Sequence, residues 1–154
     1  MKIVVVGANG KAGQLIVEEA IQRGHDVTAV VRSENKSKAQ KVIQKDLFDL
    51  TKEDLKGIDA VVSAFGAYTP ETLPLHSQSI HHFASILGGS QTRLLVVGGA
   101  GSLYLDDSHT TRLLDSPDFP DAFKPLASAQ ADELDVIRTK EELRWTFVSP
   151  AADL

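Results

Sequence analysis

Ile3-Val4-Val5-Val6-Gly7-Ala8-Asn9-Gly10-Lys11-Ala12-Gly13 is the stretch that decides the fold. Four β-branched residues in a row fit a strand buried on both faces, since a parallel strand covered by helices has no reason to alternate. Glycines at three-residue intervals then join it to a helix expected from about Lys11 to Arg23. Ala12, Leu15, Ile16 and Ala20 form its apolar stripe, and Gly24 stands at its C-terminal cap. Such a turn is tight, holds no Cβ where an anion approaches, and lets helix and strand pack closely. The first helical amides and the positive end of the helix dipole face the anion. The spacing in this strand–turn–helix context predicts a seat for the pyrophosphate of a dinucleotide, made by Gly7, Ala8, Asn9, Gly10, Lys11, Ala12 and Gly13. The competing reading is a glycine turn that binds no nucleotide. A P-loop is excluded, because no Gly-Lys-Ser/Thr follows at the required spacing.

The pattern continues on either side of this turn. Asp26 to Val31 reads as a second strand and Val42-Ile43 as a short third. Thr51-Lys52-Glu53-Asp54 has the spacing of a capping box and predicts a short helix. Asp59 to Ala64 is strand four, a helix runs from about Leu75 to Leu87 ahead of Gly88-Gly89, and Leu94 to Val97 is strand five. Ala127, Ala131, Leu134 and Ile137 mark a last helix, and Trp145 to Val148 a sixth strand. Strands alternating with helices predict an α/β, doubly wound parallel sheet (a Rossmann fold) in the order 3-2-1-4-5-6, as a single NAD(P)-binding domain over 1–154. The stretch from Gly98 to Lys124 lacks periodicity and is long enough to be a wall or lid over a site.

The chain has 154 residues, 42% apolar and 24% charged, enough for one core that buries roughly 70% of the unfolded surface. Sixteen basic against 21 acidic side chains leave a net charge of −5, which offers no electrostatic reason for nucleic-acid or anionic-membrane binding. The absence of cysteine excludes disulfides and thiol chemistry. The apolar run after Met1 is too short for a secretory signal or a membrane span, so a cytoplasmic location is expected.

The end of strand two selects the dinucleotide. An NAD site usually puts an acid there for the ribose 2′-hydroxyl; this chain has Val31-Arg32-Ser33 with Lys36 nearby. The Arg32 guanidinium would attract a 2′-phosphate and Ser33 add a hydrogen bond, so NADP(H) is favoured over NAD(H).

These residues resemble the atypical short-chain dehydrogenase/reductases, and more closely the NmrA-like, NAD(P)H-binding group that includes NADH-flavin reductases and biliverdin reductase B. The resemblance runs through the whole chain. It is carried by Gly7 to Gly13, Val30-Val31-Arg32, Lys45-Asp46, Ala64-Phe65-Gly66-Ala67, Val96 to Ser102 and Val148-Ser149-Pro150-Ala151. It implies that Asp46 and Leu47 sit beside the adenine and that Phe65 and Gly66 lie on the adenosine side. Gly98, Gly99, Ser149 and Pro150 would border the nicotinamide. Two departures stand out. The Tyr-x-x-x-Lys pair that conventional members use to move a proton is missing, since Tyr104 is followed four residues later by Ser108. The resemblance also implies about fifty further residues beyond Pro150 that help close the substrate side, so part of the family's C-terminal region is expected to be lacking.

Without that pair, reduction of a carbonyl through a tyrosine acid is disfavoured, and with it sugar-nucleotide epimerase or dehydratase chemistry. Hydride transfer to a flavin needs no protein acid. The implied activity is therefore NAD(P)H-dependent reduction of a flavin (FMN or FAD) or a similar planar, quinone-like acceptor, with Ser102 and Tyr104 as candidate polar contacts. The alternative is a non-catalytic, NmrA-like dinucleotide-binding sensor. A homo-oligomer is compatible with either. His76, His81 and His82 lack the spacing to share a metal on one helix face, and a surface helix accounts for all three. No Gly-x-Ser-x-Gly elbow marks a hydrolase.

Overall fold

A computed structural model describes residues 1–151 of the chain. Six parallel strands form one sheet: β1 (Lys2–Val6), β2 (Asp26–Val31), β3 (Lys41–Gln44), β4 (Ala60–Ser63), β5 (Arg93–Val97) and β6 (Arg144–Val148). Their spatial order is β3-β2-β1-β4-β5-β6, the expected doubly wound arrangement. Helix α1 (Lys11–Gln22) covers one face, and α2 (Leu75–Leu87) and α3 (Lys124–Ile137) cover the other. The continuous apolar run of β1 follows from this sandwich. Ile3 and Val5 pack with Val17 and Ala20 of α1, while Val4 and Val6 pack with Ile80, Phe83 and Leu87 of α2 and Ile137 of α3. The fold turns on this register: Val6 pairs with Val30 on one side and Ser63 on the other. The loops after β1, β2 and β4 therefore leave the sheet side by side at its carboxyl edge, where the strand order reverses and α/β sheets bind ligands.

Three local expectations are corrected. The buried face of α1 is Gly13, Val17 and Ala20, while Ala12 is exposed and Leu15 is 59% exposed. A glycine contributes nothing to an apolar stripe, yet here it is the point of closest contact. The capping box at Thr51 closes, with Asp54 N donating to Thr51 Oγ1 at 3.2 Å and Thr51 N to Asp54 Oδ2 at 3.0 Å. No helix follows it: the backbone continues in i→i−3 turns through Lys52 to Ile58 and leaves through Gly57 at φ +76°. The α2 histidines are not all on the surface. His76 is buried and His82 half-buried, with His82 Nε2 2.9 Å from Leu50 O; His81 alone is exposed.

The long stretch after β5 is organised. An antiparallel bridge pairs Tyr104 with Arg112, and 3-10 turns form at Leu113–Asp115 and Asp121–Phe123 before α3 begins. Among the described residues no helix is long and apolar enough to cross a membrane, and no group of three or more metal-binding side chains occurs.

Candidate functional site

The glycine turn is shaped by what it presses against. Gly7 has φ +76°, and a Cβ there would stand 2.7 Å from the Ala64 carbonyl oxygen in the loop after β4. A Cβ on Gly13 would stand 2.1 Å from Gly7 O, so α1 abuts the turn without a side chain between them. Gly10 is the N-cap of α1. It has ordinary extended backbone, no side chain caps the helix, and its first turn carries no acid. The amide groups that begin α1 are thus left to a ligand, and the dipole favours an anion. The cradle fits a diphosphate.

A cavity of about 240 Å³ opens beside this turn, lined by Gly7, Asn9, Gly10, Arg32, Ser33, Asp46, Leu47, Phe65 and Gly66 among others. Nine residues predicted from four separate stretches of sequence are brought together here. Ala8 is fully buried beneath the turn, Gly13 serves packing, and Lys11 and Ala12 lie on the exposed first turn of α1.

Asp46 caps the 3-10 turn Leu47–Asp49, its Oδ1 accepting from Phe48 N at 2.9 Å, and its Oδ2 lies 4.0 Å from Arg32 Nη1. Arg32 is largely in solvent and Asp46 half-buried, and the separation is long, so this contact holds Arg32 weakly. Lys45 is tied to Asp54 at 2.8 Å, and that bond holds the Asp54 carboxyl below its ordinary range. Tyr68, 76% exposed on the rim, rests its hydroxyl against Gly66 and also lines the cavity. It was not foreseen, because only the folded path of the 64–68 loop brings it back over Gly66.

A second concavity, about 470 Å³, lies at the same edge of the sheet beyond β5 and β6. Val97 pairs with Val148, so Gly98 and Ser149 leave the sheet together, and Gly98 N donates to Val148 O at 2.9 Å. Gly98, Gly99 and Pro150 line this space with Phe119, Phe123, Leu126 and Gln130. The Phe147 ring packs directly against Gly98, and the Gln130 amide against Gly99. Ser149, half-buried at the strand exit, is not on the wall. Ser102 and Tyr104 are not on it either: Tyr104 stacks on His109 in the exposed hairpin, with ring centroids 4.7 Å apart. Gln130 gave no sign in the sequence, since a lone glutamine on a helix carries no motif.

One buried acid lies behind these loops. Glu133 of α3 has an oxygen 3.7 Å from His76 Nδ1 of α2, both side chains almost fully enclosed. Burial pushes the Glu133 carboxyl up to about 8. His76 Nε2 lies 2.9 Å from Ala67 O and 3.3 Å from Ala67 N; the shorter contact makes it the donor to the carbonyl. The pair thus braces the loop that carries Phe65 and Gly66.

A family model described as NAD(P)H-binding matches residues 7–152 of this chain. The Bacillus subtilis (strain 168) protein YwnB is 50% identical over 155 residues, which is 99% of this chain and 72% of that protein. A solved structure of a candidate NADH-flavin reductase from Streptococcus pneumoniae TIGR4 shares 71% of its sequence with this chain and superposes with a TM-score of 0.96. That match covers 98% of this chain and 72% of that one. A candidate epimerase of Bacteroides thetaiotaomicron is 38% identical with a TM-score of 0.82, covering 99% of this chain and 71% of that one.

Proposed function

Because this chain belongs to the NAD(P)H-binding family, we propose that it is a single-domain cytoplasmic oxidoreductase that binds NADPH in preference to NADH and reduces a flavin, FMN or FAD, or another planar, quinone-like acceptor. The observation that carries this reading is the cradle: bare glycines at 7 and 10 ahead of a helix whose first amides have no side-chain cap, with Gly13 in its first turn. The bound dihydronicotinamide supplies the hydride, so the protein's own task is to hold and align two rings and keep water away.

In this reading the turn from Gly7 to Gly13 seats the pyrophosphate. Asp46, Leu47, Phe65 and Gly66 flank the adenosine, and Gly98, Gly99, Ser149 and Pro150 border the nicotinamide. Phe119, Phe123 and Leu126 give the acceptor an apolar wall, and Gln130 offers an amide to its polar edge. Ser102 and Tyr104, on the hairpin outside the concavity, are weaker choices for that contact.

With NADPH and FMN, the protein should consume nicotinamide absorbance faster than the protein-free mixture does. Gly10→Val should abolish both binding and turnover while the chain still folds and melts cooperatively, since a Cβ there has its nearest atom 3.4 Å away. Binding of NADPH with no turnover above the protein-free rate would favour the non-catalytic sensor.

The preference for NADPH rests on Arg32 and Ser33, with Arg32 only loosely engaged by Asp46. Arg32→Ala should weaken NADPH by about 1–3 kcal/mol and leave NADH nearly unchanged, read by titration of nicotinamide fluorescence. An equal loss for both cofactors would refute the assignment.

A further inference from the structure

The side chain of Asn9 is used differently from its neighbours in the glycine turn. Its Nδ2 donates to Glu34 O at 2.9 Å, and its Oδ1 accepts from Lys36 N at 2.7 Å. A carbonyl can only accept and an amide N–H can only donate, so the orientation of the Asn9 amide is fixed by its partners. The turn grips back at Asn9 itself, whose carbonyl accepts from Gln14 Nε2 of α1 at 2.7 Å. Both ends of one short side chain are therefore committed to the loop after β2, which begins with Arg32 and Ser33.

That loop is braced internally. Asn35 Oδ1 accepts from Ser37 N at 3.0 Å and Ser37 Oγ at 2.6 Å, and Asn35 Nδ2 donates to Ala39 O at 2.9 Å. Besides Asn9, a solvent-exposed ion pair ties it to α1, Lys38 with Glu18 at 3.1 Å, and such a pair holds little. Gly7 N donates to Val30 O at 3.2 Å and ties the turn to the end of β2 ahead of Arg32; Asn9 ties it to the 34–36 backbone beyond Arg32, more firmly than the Lys38 ion pair does.

We propose that Asn9 is a specificity-determining positioning residue: by pinning the 34–36 backbone to the glycine turn, it sets Arg32 where a phosphate on the adenosine ribose must lie once the pyrophosphate is seated. The inference rests on the reading of this cavity as the dinucleotide site. It assigns the discrimination between phosphorylated and plain ribose to a pair of hydrogen bonds as well as to the cation.

The test is a cycle of Asn9→Ala, Arg32→Ala and the double variant, titrated with NADPH and NADH, with melting temperatures as a check on folding. Asn9→Ala should weaken NADPH about tenfold and NADH by no more than about twofold. In the Arg32→Ala background the same change should move NADPH by less than about twofold, because the cation it positions is gone. If Asn9→Ala does not fold, Asn9→Ser, whose hydroxyl is too short to span both partners, should show the same loss of selectivity. Equal weakening of NADPH and NADH, no weakening of either, or an undiminished tenfold loss without Arg32 would each overturn the role of Asn9 and leave dinucleotide binding standing. A native chain that binds neither cofactor would overturn the site reading together with it.

Discussion

Gly13→Ala should destabilise the fold by about 3 kcal/mol or more, seen as a lower denaturant midpoint. Propensity argues the other way, since alanine is favoured over glycine inside a helix by about 1 kcal/mol. The contact decides the sign. The added methyl would lie 2.1 Å from Gly7 O and 2.8 Å from Ala8 Cα, both backbone atoms with no rotamer to yield. Relief requires moving α1 away from the turn, which opens the layer where Val17 and Ala20 pack on Ile3 and Val5. Gly10→Ala, three residues earlier and with a neighbour at 3.4 Å, should cost no more than about 1 kcal/mol. If the two variants melt alike, the close packing of helix on turn is not what glycine provides at position 13.

Glu133 should make the protein lose stability as the solution becomes more alkaline. Its carboxyl has an ordinary value of 4.5 and is raised to about 8 in the folded chain by burial. Between those values the folded state keeps a proton that the unfolded state has released, so stability falls as pH rises through that window. The whole difference corresponds to at most about 5 kcal/mol, and relaxation around the site will reduce it to a few. The titratable group facing it is His76 at 3.7 Å. Glu133→Gln, which carries no charge to bury, should flatten the slope between pH 4.5 and 8 and exceed the native chain in stability at the upper end. Urea denaturation at several pH values measures both curves; parallel curves for the two proteins would show that Glu133 is ionised without penalty.

Much of the architecture could be read from residues alone, because its signals are local. β1 announces itself as an uninterrupted β-branched run, and the order expected of a doubly wound parallel sheet is the one observed. The glycine turn at the start of α1 was legible for the same reason: three glycines and the start of a helix need no distant partner to be recognised. What escaped depends on the folded path of the chain. Leu15 looks like core by spacing and is exposed, because Gly13 takes the contact position on α1. Thr51 and Asp54 form their reciprocal hydrogen bonds without a helix, since Gly57 turns the backbone at φ +76° and Asp59 N then donates to Lys2 O of β1 at 2.9 Å, leading the chain into β4. Gln130 and the His76–Glu133 pair acquire meaning only through neighbours far away in sequence, and Tyr68 only through the folded path of the 64–68 loop.

The carboxyl edge of the sheet is assembled from two non-overlapping parts of the chain. Residues between Val6 and Tyr68 wall one concavity, and residues from Gly98 onward wall the other. The handle by which a nucleotide is held and the surface that meets its partner are thus written in separate passages. In the proposed reading, substitutions among Phe119, Phe123 and Leu126 should change which oxidant is accommodated while the turn from Gly7 to Gly13 keeps its shape.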